Sequence, residues 1–430
     1  MFEVFRNAWK IDELRKKLLF TLFIILVFRF GSALFVPFLD PAKIQELIGE
    51  GTLLQFMDTM TGGALGNGTL FAMSITPYIN ASIIMQLLTV AIPALERLSK
   101  EGDEGRKKIN RITKLAAIGI AIFQATAFFI SLRNVGAVSY TSGFGGALTM
   151  ITIIGCFVAG ATLVVWLGDQ ISEKGIGNGI SIILFAGIVS RMPMDIYGLF
   201  RQMSAQEAQN YILVPVILII YILMIALVVL MQNAERRIPV QYAKRVVGRK
   251  MYGGQSSHIP IKVAMAGVMP IIFAMSIMSL PQTILYFFGI DGNGASFWDG
   301  FVRLFSQNSI LYGILYFLLI IGFNYFYIAL QYNPVEIANN LKKNNGAIPG
   351  IRPGKPTSDF IQNSLSKITL IGAIFLGFIA VFPIAFTQVT KIQGLSLGGT
   401  TLLIVVGVVL ETVRSLESQM MMRHHKGFLE

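Results

Sequence analysis

The chain has 430 residues, of which 54% are hydrophobic and only 13% charged, with a mean hydropathy of +0.66, whereas a soluble domain carries roughly 25% charged residues. Too few Lys, Arg, Asp and Glu are present to clothe a water-facing surface of this size, so most of the chain must face lipid or other membrane helices. The net charge of +12 is compatible with nucleic acid, anionic lipid or membrane topology, and a single cysteine, Cys156, excludes both a disulfide and a CxxC metal or redox site.

Residues 1–17, MFEVFRNAWKIDELRKK, are expected to form an amphipathic segment on the cytoplasmic surface. A helix needs roughly 20 apolar residues to cross a bilayer core. Ten runs qualify: Leu18–Phe38, Ser74–Leu95, Leu115–Leu132, Ala147–Gly168, Ile180–Val189, Tyr211–Met231, Val263–Phe288, Ile310–Tyr332, Ile368–Phe386 and Thr400–Val413. The fifth and tenth are short. An even number of spans puts both termini on one side, and the basic residues say which side. Of the 35 Lys and Arg, 28 lie on the side of the N-terminus and 6 on the other, with Arg29 inside the first span. Lys and Arg concentrate in cytoplasmic loops, so both termini are expected in the cytoplasm. The first run lacks a small-residue cleavage site near its end and reads as a span rather than a signal peptide.

Between the first two spans lies LLQFMDTMTGGALGNGTLFAM, residues 53–73, too rich in glycine to cross as a continuous helix. It fits either an external loop or a re-entrant segment, and the latter requires a cavity or surrounding protein. Arg29, near the outer end of its span, suits a snorkelling head or a structural bond to backbone carbonyls. No Asp, Glu, His or Lys sits in mid-span, which favours a passive route over an ion-coupled one. Pro77-Tyr-Ile79-Asn-Ala81 in the second span is echoed by Pro270-Ile-Ile272-Phe-Ala274 in the seventh. Copies five spans apart have opposite orientation, the mark of an inverted repeat.

Two cytoplasmic loops, 232–262 and 333–367, are long and basic. Their charge fits topology and anionic lipid, or a docking platform for a large acidic partner such as ribosomal RNA phosphates. In PGIRPGKP, Arg352 stands between two Pro-Gly turns, which present it at a fixed loop tip. No Walker A string occurs, so nucleotide energy must come from a partner. Gly175, Gly177 and Gly179 in EKGIGNG read as a tight turn, and His258, His424 and His425 have no catalytic or metal-spaced partners. Hydrolase and metalloenzyme readings fail on that pattern.

Four strings, GGALGNGTLFAMSITPYINASIIMQLL, WLGDQISEKGIGNGISIILFAGI, YAKRVVGRKMYGGQSSHIPIKVAMAGVMP and NPVEIANNLKKNNGAIPGIRPGKPT, the last followed later by GGTTLLIVVGVV, resemble the SecY family. They do so in the family's order and over essentially the whole chain. The resemblance implies an all-α integral membrane protein whose ten transmembrane helices form two five-helix halves, 18–192 and 211–430, related by inverted pseudo-two-fold symmetry. It implies a non-enzymatic, cofactor-free subunit of a protein-conducting channel in the bacterial cytoplasmic membrane. Such a channel passes unfolded polypeptides outward and releases apolar segments sideways into lipid as helices two and seven part.

Carried over by motif, a pore ring falls on Ile79, Ile83, Ile180, Leu184, Ile272 and Ile404. A closed aliphatic ring dewets and blocks ions yet binds no polar group of a passing chain. The plug of the family falls within 53–73, on Thr61, Gly62, Gly63, Ala64, Leu65, Gly66 and Asn67, where glycine eases backbone rearrangement. The docking role falls on Lys244, Arg245, Arg249, Lys250 and Arg352. The implied partners are SecE, SecG, the SecA motor ATPase and the ribosome. The competing class, a ten-span solute transporter or channel, should instead gather polar side chains in mid-span.

Overall fold

The computed structural model describes residues 2–48, 53–140, 142–204, 208–242, 245–247, 250–252, 256–287, 300, 309–390 and 399–424. The chain folds into two compact units, one of Met1–Asn210, Ser276–Tyr312 and Thr387–Glu430, the other of Tyr211–Met275 and Gly313–Phe386. The expected division between 192 and 211 meets the boundary at Asn210/Tyr211. The last helix, however, groups with the first unit.

In the first unit, α1 (Phe2–Lys10) and α2 (Asp12–Gly31) are followed by α3 (Pro41–Leu47) and α4 (Leu53–Thr61). Asp40 caps α3 by accepting from the Ala42 amide at 3.1 Å, with Pro41 in the first turn. Then come α5 (Thr76–Ala91), α6 (Pro93–Lys100), α7 (Asp103–Asn134), α8 (Gly143–Lys174) and α9 (Gly179–Ser204). Pro93 cannot continue the hydrogen-bond ladder. Ile92 turns extended at φ −108°, ψ 113°, and α6 leaves α5 at 100°. The second expected run therefore holds a 16-residue helix, about 24 Å long, short of a core about 30 Å thick.

By contrast α7 and α8 have 32 residues each and reach about 48 Å. Their shared face uses small residues, Ala121, Ala125 and Ala161, beside Phe128, Phe157 and Ile153, in one buried cluster. Cys156 packs against it. Near the start of α7 and the end of α8, Lys114 Nζ meets Asp169 Oδ2 at 2.6 Å. The first turn of α5 begins beside that pair: Tyr78 Oη donates to Asn110 Oδ1 at 3.4 Å. The N-terminal helix is held by Ala8, Leu14, Ile176 and Leu416, the last on the closing helix of the chain.

In the second unit, α10 (Ala208–Asn233) leads into β1 (Glu235–Tyr242), β2 (Arg245–Val247), β3 (Lys250–Tyr252) and β4 (Ser256–Lys262). After α11 (Met269–Phe287), whose residues from Ser276 on belong to the first unit, and α12 (Ile310–Gln331) come α13 (Pro334–Lys343), β5 (Gly346–Ala347) and α14 (Lys355–Thr390), and the chain closes in the first unit with α15 (Gly399–His424). β1 is central in an antiparallel sheet, β4-β1-β5, with Ile238 opposite Ile259 and Tyr242 opposite Gly346. The two basic loops are thus one body. Ile238, Val240 and Ile261 from the first loop share a buried core with Leu341, Ile348, Ile361 and Leu365 from the second. Pro239 is tolerated in β1 because β5 pairs only with Gln241 and Tyr242.

Among the described residues seven helices are long and apolar enough to cross a membrane, or eight if α5 and α6 form one broken span. The remaining two expected runs lie on α2, whose second turn carries Arg15, Lys16 and Lys17, and on α11.

The shared core makes a stability prediction. Ile238→Ala removes a side chain only 2% exposed and should cost about 2–4 kcal/mol locally. Protease cleavage within 233–262 and 344–356 should rise together in membrane-embedded protein. A rise confined to one loop would show that the two do not fold as a unit.

Candidate functional site

The residues between α4 and α5 are neither helix nor strand, and the first unit buries most of them. Ala64 and Leu65 are 1% exposed each, and Thr61, the last residue of α4, 0%. The amides of this stretch are paired locally. Gly62 donates to the Thr59 carbonyl at 3.2 Å and Gly63 to the Asp58 carbonyl at 2.8 Å, with φ of 71° and 86°, so this glycine pair ends α4 in the left-handed geometry that glycine adopts without strain. Thr61 Oγ1 donates to the Asp58 carbonyl at 3.0 Å and accepts from the Leu65 amide at 3.3 Å. Asn67 Nδ2 bonds the Gly63 carbonyl at 2.9 Å, and Gln45 Nε2 reaches Asn67 Oδ1 at 3.3 Å. Farther on, Val36 donates to Gly68 and Leu70 to Leu34, so this backbone zips onto the stretch after α2.

Three glycines in the surrounding helices create the seat. A Cβ at Gly187 of α9 would collide with the Met60 carbonyl, one at Gly160 of α8 with the Leu70 carbonyl, and one at Gly31 of α2 with the Phe71 ring. Gly160 lies midway along α8, so Leu70 packs at the middle of a membrane-length helix. Phe71 also stacks on Phe28, with centroids 5.7 Å apart. Arg29 is committed to this seat: its Nη1 donates to Ser190 Oγ at 2.8 Å, next to Gly62. Its partner is thus a hydroxyl on α9, neither a backbone carbonyl nor the lipid surface. On the next residue of α9, the Arg191 guanidinium pairs with Asp58 Oδ2, while Asp58 Oδ1 accepts from the Gly66 amide at 2.7 Å.

Five of the six aliphatic candidates belong to the first unit. Ile83 (5% exposed) and Ile79 stand on α5, Leu184 (7%) and Ile180 on α9, and Ile404 (3%) on α15. Ile180 faces Gly168 of α8, where a Cβ would come within 3.2 Å of its Cγ1. Ile272, on α11, is half-buried in the second unit.

Of the basic candidates, Lys244 and Arg249 lie outside the described residues. Arg245 and Lys250 lie on β2 and β3, which pair as a hairpin. Arg352 is exposed, its flanking Gly350 and Gly354 have φ of 82° and 104°, and its carbonyl accepts from Thr357 Oγ1 at 2.8 Å. The two Pro-Gly turns therefore do fix this tip. Exposed Arg237, also in this body, bonds Glu235 Oε1 at 2.7 Å and holds the Glu235 carboxyl below its ordinary range. Among the described residues no group of three or more His, Cys, Asp or Glu gathers as a metal site.

Sequence reasoning missed the seat itself: Asp58, Ser190, Arg191 and the glycines at 31, 160 and 187. The one available signal was glycine inside apolar helices, which marks close backbone approach.

The family model described as SecY matches residues 69–413. Among curated relatives, the protein translocase subunit SecY of Streptomyces galbus is 42% identical over 443 residues, covering 100% of both chains. Two solved structures share the fold, each covering 94% of this chain and 92% of its own. One is a SecY protein whose plug domain stabilises the closed state of the translocation channel and maintains a membrane seal, with a TM-score of 0.60 at 20% identity. The other is Sec61 in the canine ribosome-channel complex from the endoplasmic reticulum, with a TM-score of 0.59 at 20% identity.

The seat can be tested through its glycines. Gly187→Val should lower stability by about 2–3 kcal/mol through overpacking, read as a lower thermal unfolding midpoint. Gly119→Val, where a Cβ meets open space, should change it little. Equal effects would mean that the contact at Gly187 carries no special weight.

Proposed function

The chain belongs to the SecY family, and from that premise we propose how it acts as the central subunit of a protein-conducting channel. Unfolded polypeptides pass through it across the bacterial cytoplasmic membrane, and apolar segments leave sideways into lipid. The observation that carries this reading is the buried, non-helical segment at 62–75, packed against the middle of α8. A backbone stopper held by surrounding helices suits a conduit that must admit a chain of any sequence and seal again. A solute transporter needs a fixed polar site instead, and the full-length curated relatives are translocase subunits, not transporters.

On this reading Thr61–Asn67 form the plug. Support comes from the burial of Thr61, Ala64, Leu65 and Gly66 and from the solved SecY protein in which a plug domain maintains the seal. Ile79, Ile83, Ile180, Leu184, Ile272 and Ile404 form the constriction, a collar of aliphatic side chains that offers a passing chain no hydrogen bond. Ile180 is half-buried and packs on Gly168 of α8. The body built from the two basic loops is the cytoplasmic docking platform, and Arg352 is its fixed contact. The ribosome is one partner, in keeping with the canine complex; SecA is the motor, and SecE and SecG complete the assembly. Both termini lie in the cytoplasm, in line with the Lys/Arg asymmetry.

Two experiments test this. Photo-crosslinkers at Ile83, Ile272 and Ile404 should each capture a secretory chain stalled part-way, while Leu26 and Ile151, 61% and 74% exposed on helix surfaces, should not. Capture at the controls but not at the three would move the path elsewhere. Arg352→Glu should impair partner-driven transport in vesicles without changing the amount of folded protein. Normal transport would remove Arg352 from the docking surface.

A further inference from the structure

Among the described residues Asp58 is the only charged one that is buried, at 4% exposure. Both its oxygens are used. Oδ1 accepts the Gly66 amide at 2.7 Å and closes the glycine-rich loop onto α4, while Oδ2 takes the Arg191 guanidinium and ties that loop to α9. Arg191 is placed differently, with its side chain 29% exposed and so in reach of water. The neighbouring Arg29–Ser190 bond touches Gly62 but not Asp58, and supports the seat independently of the pair.

We infer that the Asp58–Arg191 pair is the latch that holds the segment in its closed position, and that an incoming polypeptide opens the channel by separating it. The inference rests on the plug reading and names the pair that sets its equilibrium. A buried carboxylate is tolerated only with a counter-charge and hydrogen bonds. Once the segment lifts into water, each charge is solvated separately, so parting costs little beyond the lost attraction. The pair therefore stabilises only the seated state, and its strength sets the population of the open one.

The asymmetry in burial gives the latch a signature. Arg191→Gln leaves a carboxylate buried without a counter-charge and drives the segment out. Asp58→Asn leaves a guanidinium that water already reaches, and the amide oxygen still accepts from Gly66. Neutralising both removes the stranded charge. The order of leak should therefore be Arg191→Gln first, with Asp58→Asn and the double variant both lower. A merely additive pair of structural contacts would put the double variant highest.

The experiment is ion flux through the full complex in vesicles of phosphatidylethanolamine and phosphatidylglycerol, with no translocating chain present. Deletion of residues 61–67 serves as the reference for a lost stopper. Arg191→Gln should raise the flux about tenfold over the unaltered chain, the order expected for breaking one partly solvated buried pair. Adding Asp58→Asn to Arg191→Gln should bring it back down. If the deletion leaks but Arg191→Gln does not, or if the double variant leaks as much as Arg191→Gln or more, the latch is overturned while the plug reading stands. If the deletion itself does not leak, both readings fall.

Discussion

A backbone amide at membrane depth must find its hydrogen bond inside the protein, because no water is there to supply one. That constraint governs residues 62–75. Helix would satisfy it automatically, yet the chain departs from helix here. Substitutes stand in one by one: the Asp58 carboxylate for Gly66, the Thr61 hydroxyl for Leu65, the Ala64 carbonyl for Thr69 and the Leu34 carbonyl for Leu70. The glycines of α2, α8 and α9 follow from the same need. A segment that spends its polar groups internally must be packed closely enough to exclude solvent, and only a missing Cβ lets Met60 and Leu70 approach helix backbones so closely. Shortening α5 to 16 residues completes the arrangement, since the segment fills depth the helix does not span.

Much of this was legible in the chain. Apolar runs of span length located the membrane-length helices, seven or eight of them among the described residues, and Gly62 to Gly68 announced a segment unable to cross as helix. Pro-Gly pairs marked the tip at Arg352, and their glycines adopt the positive φ that such turns demand. What stayed hidden has one physical cause: it depends on residues that meet across long stretches of sequence. Arg191 and Asp58 share no period or motif, and a lone carboxylate in QFMDTMTGG signals nothing until α9 is laid against it. Pro93 was readable as a helix breaker, yet the 100° turn it produces shortened the second span in a way that hydropathy alone does not register.

The body built from the two basic loops shows the same limit from the other side. ERRIPVQY alternates too briefly to declare itself a strand, and its partner at Gly346 lies in the other loop. Composition gave two basic loops; pairing and a shared apolar core make them one object. That changes the meaning of their charge. Residues on two mobile loops would contact a partner independently, each with its own ordering cost. On one folded body that cost is met during folding, and in the proposed docking role a partner would meet charges already held in place.

A seal that opens for every substrate cannot be made of apolar packing alone. Side chains such as Leu65 would gain burial at any nearby apolar surface, which makes such packing a poor specifier of one position. A buried carboxylate behaves otherwise, since Asp58 is compatible with one seat only, where Gly66 and Arg191 meet it. The pair thus contributes more to position than to net stability, which is the role that buried charged groups fill best where they are kept. Partial exposure of Arg191 limits the attraction, and the glycines on both sides keep the backbone free to leave. On this view the constriction and the segment divide the labour of closing. The proposed aliphatic ring resists ions by dewetting whatever sits above it, while the segment supplies a polar lock whose strength a single charge can tune.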